Sequence, residues 1–189
     1  MLFEAGLFAE TALAFHSALT HPKPQGRRPS KLSRPAQLAV DMLRRDWKGQ
    51  LPVDIHAMCE ASRVPVHTAA IAEEGVAAQL HWNQEGTNAR IVVNDALSRE
   101  VQRFAIAQAL GSILMHHSSV RMVALSGPSA SSAPELEANV FALQVLMPTH
   151  GLAEITARYR TEAAVAAVYD VAPRKAMTRL LAQSLSKAR

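Results

Sequence analysis

The chain has 189 residues, 49% hydrophobic and 19% charged, with a formal net charge of +4 and one cysteine. That length suits one large domain or a domain with an appendage, and the apolar content is enough for a sizeable core. A folded soluble protein is therefore expected, since no stretch reaches the roughly 18–20 uninterrupted apolar residues of a membrane-spanning helix. Cys59 alone cannot build an internal disulfide framework; it fits a reducing cytoplasm, and its apolar, helix-like surroundings mark it as a buried structural thiol.

Residues 1–20 read as an apolar N-terminal helix with apolar side chains nearly all round, as in a segment that packs into something, such as a second copy of the chain. Glu4 and Glu10, with no preceding basic residue, argue against a signal peptide. Residues 21–34 are rich in proline and basic side chains and read as a linker, followed by a helix over about 36–48. Pro52, Val53 and Asp54 then open a short helix ending near Ser62. The β-compatible runs 64–71, 76–82 and 89–93 are separated by Glu74-Gly75 and Glu85-Gly86, which predicts a small three-stranded, mostly antiparallel sheet. Ser98 is placed to cap a helix running to about His116, and a Ser/Gly/Pro loop covers 118–134. Helices follow over about 135–146, 148–159, 161–169 and 173–186. The division is a domain over 35–150 and a helical tail over 151–189; the class is α+β, mainly helical. Basic residues gather in 23–48 and in the tail, which permits contact with nucleic acid or an acidic surface without requiring either.

The informative stretch is Arg103-Phe104-Ala105-Ile106-Ala107-Gln108-Ala109-Leu110-Gly111-Ser112-Ile113-Leu114-Met115-His116, followed by Glu137-Ala138-Asn139-Val140-Phe141-Ala142 and Leu146-Met147-Pro148. It resembles the ImmA/IrrE zinc metallopeptidase family, whose members carry Arg-Phe-x-x-Ala-His-Glu-Leu-Gly-His-x-x-x-His, then Glu-Ala-Asn-x-Phe-Ala and Leu-Met-Pro. The frame matches without a gap, and the likeness extends over about 35–186, where Tyr169 to Leu180 look like the family's helix-turn-helix-like tail. The resemblance implies a zincin-like core. In such peptidases two histidines at i and i+4 bind zinc and the intervening glutamate deprotonates a metal-bound water.

Here those positions are Gln108, Ala109 and Ser112. Neutral amide and hydroxyl oxygens are poor zinc ligands and a methyl group cannot move a proton, so the family reaction is not expected and no metal or other cofactor is assigned. Glu137, at the third ligand position, and His116, one turn beyond the motif, remain. With Gln108, Ala109, Ser112 and Asn139 they make up a vestigial pocket. A carboxylate left without its cation needs donors, which suggests a Gln108–Glu137–Ser112 network in place of the metal. A relocated metal site at His116, His117 and Glu137, with His81, is disfavoured because adjacent histidines on a helix point about 100° apart. His56, His67 and His150 read as surface or partly buried residues.

Relatives of this kind cut helix-turn-helix repressors encoded beside them, derepressing mobile-element or DNA-damage genes. A member without a catalytic water is expected to bind such a partner, in the cytoplasm, through the former substrate groove. The alternative is a DNA-binding regulator using Arg174, Lys175 and Arg179 of the last helix. Against it, Met177, Leu180, Leu181 and Leu185 have the spacing of a closing helix packed on the core. A different enzyme has no support, as there is no phosphate loop, dinucleotide fingerprint or recognisable nucleophile arrangement.

Overall fold

The structure, a computed structural model, describes residues 33–117, 120–124 and 132–187. The expected N-terminal helix and nearly all of the basic linker lie outside the described residues. The elements run α1 (Arg34–Asp46), α2 (Ile55–Ala61), β1 (Val66–Ala69), β2 (Val76–Trp82), β3 (Ala89–Asn94), α3 (Arg99–Leu114), β4 (Met122–Ala124), α4 (Ala133–Leu146), α5 (Leu152–Arg158), α6 (Glu162–Tyr169) and α7 (Pro173–Lys187). The architecture is α+β, as the sequence predicts.

The sheet has four strands, in the order β1-β3-β2-β4. β1 runs parallel to β3, whereas β2 is antiparallel to both β3 and β4. The expectation of three strands is therefore one short. β4 lies inside the segment read as a Ser/Gly/Pro loop, and three residues are too few to display a period-two pattern; pairing with β2, not side-chain alternation, makes it a strand. The register sets Ala78 opposite Val93 and Leu80 opposite Ile91, all buried, while His81 and Arg90 on the alternate face are exposed. Trp82 belongs to the inward row, and its indole N–H donates to the Val120 carbonyl at 2.8 Å, tying the end of β2 to the approach to β4.

Helix α3 lies against the inward face of the sheet and packs on its other side against α4. The two helices approach closely because Gly111 has no Cβ: one built there would sit 2.7 Å from Phe141 Cδ1. Helix α4 starts at Ala133, with Pro134 tolerated in the first turn. A capping box closes the start: Ser132 Oγ accepts from the Glu135 amide at 3.4 Å, and the Glu135 carboxylate accepts from the Ser132 amide at 3.2 Å. Helix α1 covers α4 with a stripe of Ala36, Ala39, Met42 and Leu43, spaced as one helical face. Short α2 is capped by Asp54, whose carboxylate accepts from the Ala57 amide at 3.0 Å. Its Cys59 is buried in the core, and burial, helped by the nearby Asp54 charge, pushes the thiol up to about 12, the state of an inert structural cysteine.

The core runs without a break across residue 150. Val165, Ala166, Tyr169, Val171, Ala176 and Ala182 of the C-terminal helices belong to the same buried cluster as Leu110, Phe141 and Leu146. Among the described residues no helix is long and apolar enough to cross a membrane.

Candidate functional site

The site lies where the middle of α3 faces the first half of α4. Gln108 and Ser112 are one helical turn apart on α3, and Glu137 and Asn139 come from α4. Gln108 Nε2 donates to Asn139 Oδ1 at 2.6 Å, and both side chains are half-buried. Ala109 is fully buried and Ser112 is 2% exposed. Glu137 does not pair with Gln108. Its Oε2 lies 3.0 Å from His117 Nε2, with the glutamate side chain 41% and the histidine side chain 14% exposed.

This arrangement corrects the network expected from the sequence. Helix α3 stops at Leu114, Met115 caps it, and His116 takes a left-handed conformation with φ 60°, which throws its side chain out to solvent and off the Gln108–Ser112 stripe. The same turn returns the chain so that the His117 amide donates to the Ser112 carbonyl at 2.8 Å, which sets the His117 imidazole against Glu137. His117 is therefore the site residue that sequence reasoning undervalued. The 100° rule for neighbours on a helix does not apply to a pair that straddles a helix end. His81, on the outward face of β2, is exposed and apart from this cluster.

The donor set does not fit zinc. Gln108 offers an amide already bonded to another amide, Ala109 a buried methyl and Ser112 a buried hydroxyl, and the Glu137 carboxylate is engaged by His117. Among the described residues no three His, Cys, Asp or Glu side chains are grouped to hold a metal ion. Chemically the site offers a hydrogen-bonded amide pair and a half-exposed carboxylate–imidazole pair: groups that recognise, with no residue at the base position able to activate water.

Two buried arginines lie at one end of the antiparallel helix pair, where α3 begins and α4 stops. Arg103, in the first half of α3, donates from Nη2 to the Val53 carbonyl at 2.9 Å and from Nε to the Asp170 carbonyl at 3.1 Å, with Asp170 Oδ2 at 3.2 Å. It thus joins the segment before α2 to the end of α6. Burial lowers its pKa, opposed by the Asp170 charge. Arg179, on α7, is 4% exposed and donates to the Met147 carbonyl at 3.2 Å, Gln144 Oε1 at 2.9 Å and Thr149 Oγ1 at 2.8 Å, satisfying the C-terminal end of α4. Burial pulls it down to about 10.

These positions correct the expected nucleic-acid contacts. Arg179 faces the core and its bonds are internal. Lys175 is half-buried with Nζ 4.0 Å from the centre of the Phe104 ring, and burial, with the adjacent Arg174 charge, lowers it to about 8. Of the three, Arg174 is exposed. His56, His67 and His150 are exposed, as expected of surface histidines.

The described residues thus form a mixed four-stranded sheet backed by one long helix, with a second helix packed against the first and carrying Asn139 and Glu137 toward it. The sequence profile described as the IrrE N-terminal-like domain matches residues 59–180, and the chain belongs to that family. The match spans the sheet, the α3–α4 pair and the first half of α7. No curated protein matches the chain in sequence.

Proposed function

We propose that this chain is a non-catalytic regulatory member of the IrrE-like family, acting in the cytoplasm by holding a protein partner on the face that serves catalytic members as the substrate groove. The partner chemistry it suits is that of a helix-turn-helix transcriptional regulator of a mobile element or stress locus. The observation that carries this reading is the Gln108–Asn139 bond beside a buried Ala109: at the positions where a metallopeptidase binds zinc through histidine and activates water, this chain has an amide already bonded to a neighbour and a methyl group. No cofactor enters the proposal. Loss of the reacting groups leaves the fold that presents the groove, because the helices on either side of it are held by bonds that involve no metal.

Direct DNA binding through α7 is the weaker reading, because Arg179 is bonded inside the protein and Lys175 lies over Phe104. The test is co-expression of the full chain with the products of neighbouring genes, followed by affinity purification. A stable complex with a regulator, leaving that regulator uncleaved, is expected. No complex with any neighbour, or cleavage of the partner, overturns the reading.

A further inference from the structure

We propose that the cleft between the start of α3 and the segment leading into α2 binds a free α-amino acid as its zwitterion, with the carboxylate on Arg99 and Arg103 and the ammonium on Asp54. The cleft has a volume of about 440 Å3. One wall is a stripe of α3 made of Arg99, Gln102, Arg103 and Ile106, spaced as a single helical face. The rest of the lining is the alternate row Pro52, Asp54 and His56, whose intervening neighbours Val53 and Ile55 are buried. None of Gln108, Ala109, Ser112 and Glu137 lines it, so it is separate from the site described above.

The α3 wall carries surplus positive charge. Asp170 Oδ2 lies 2.7 Å from Arg99 Nε and 3.2 Å from Arg103 Nε, so one carboxylate offsets two guanidinium groups. Arg103, its side chain 8% exposed, is anchored through Nη2 to the Val53 carbonyl and through Nε to the Asp170 carbonyl, and its Nη1 makes no bond to a described residue. Gln102 is already spent, since its Nε2 donates to the carbonyls of Asn94, Asp95 and Leu97. Asp54 gives one oxygen to the Ala57 amide at 3.0 Å and forms an ion pair with neither arginine. Burial lowers the Arg103 pKa; the Asp170 charge opposes that, and the Asp54 charge adds to the opposition from further off. Both signs of charge thus line one cleft without contact between Asp54 and the arginines. A dianion such as phosphate would face Asp54 with only one positive charge in surplus, and a lone cation would face the arginines. A zwitterion satisfies both, and a carboxylate meets a guanidinium already held in place, which lowers the ordering cost of binding. Pro52 and Ile106 are the apolar part of the lining and suit an aliphatic side chain. The ligand would join the segment before α2 to α3, adding to the tie that Arg103 makes, so it should also raise the melting temperature by mass action.

The probe is L-leucine, titrated into the full chain by isothermal calorimetry beside isocaproate, which lacks only the ammonium, isoamylamine, which lacks only the carboxylate, and inorganic phosphate. Saturable binding of one leucine per chain is expected, with each control weaker by about tenfold or more, the loss of one charge-assisted contact. Asp54→Asn keeps a residue that caps a helix equally well, and it should bring leucine down to the affinity of isocaproate. Arg99→Gln, at an exposed side chain, should weaken leucine and isocaproate alike and leave isoamylamine unchanged. Both variants leave the Arg103 bonds to Val53 and Asp170 in place, so both should fold like the parent. No saturable heat with leucine, any control binding as tightly as leucine, or an Asp54→Asn protein that binds leucine like the parent overturns the inference. None of these outcomes depends on whether a partner complex forms.

Discussion

One end and the middle of the α3–α4 pair solve different problems. At the end where α3 begins and α4 stops, Arg103 and Arg179 are buried cations whose donors go to main-chain carbonyls and fixed side-chain oxygens, Arg103 joining three parts of the chain and Arg179 two. In the middle, Gln108 and Asn139 form one neutral bond, and past the far end of α3 His117 meets Glu137 at the surface. Losing a bond at that end strands carbonyls in the core, whereas the middle is held by one bond between two half-buried amides. The framework therefore does not rest on the polar side chains of the middle.

The largest expected effect concerns metal. The purified chain should contain no stoichiometric zinc by elemental analysis, whereas the combined Gln108→His, Ala109→Glu and Ser112→His protein should bind it with Glu137; stoichiometric zinc in the unaltered protein would erase the contrast between that end and the middle. Next in size, Arg179→Met should destabilise by about 3 kcal/mol in denaturant unfolding, because the Met147 carbonyl and the Gln144 oxygen lose a buried donor. A loss under about 1 kcal/mol would show that the end is not pinned as described. Gly111→Ala should cost about 1–2 kcal/mol, the steric conflict with Phe141 outweighing the gain in helix propensity, and Phe141→Leu in the same chain should return part of it.

The smallest effect is a pH dependence. Burial lowers Lys175 from 10.5 to about 8. Between those values the unfolded chain holds a proton that the folded chain has released, so this group makes stability rise with pH from about 8 to 10.5 and leaves it lowest, and flat, below about 8. Lys175→Met should melt higher than the parent at pH 7, with the advantage shrinking as pH rises through that window. An advantage that does not change with pH would assign it to packing over Phe104 instead.

Much of the fold was legible because its signals are local. The turns at Glu74-Gly75 and Glu85-Gly86 delimit β2 and β3, and proline and capping residues bound the helices to within a few residues. The helices that carry the candidate site could be placed from the sequence, yet the partners of its side chains could not, and His116 lies off the stripe on which it was expected. The pairing of Glu137 with His117 depends on the left-handed turn at His116, a conformation set by how the chain leaves α3 and not by any residue preference in the sequence. Arg179 was misread as a surface charge because arginine usually is one. Its place three residues from each of Ala176 and Ala182, both fully buried, is the signal that could have found it: a stripe of small residues makes room for one long side chain to reach inward.

The burial of Arg179, Tyr169 and Ala182 with the central helices has a consequence for synthesis. Helix α4 cannot have its last carbonyl satisfied, nor its inner face sealed, until a segment some thirty residues further along the chain has left the ribosome. Completion of the core is thereby deferred until α7 has emerged, and a product cut short after α5 exposes the apolar surface that α6 and α7 would cover, which makes it a substrate for chaperones and proteases in place of a smaller working domain.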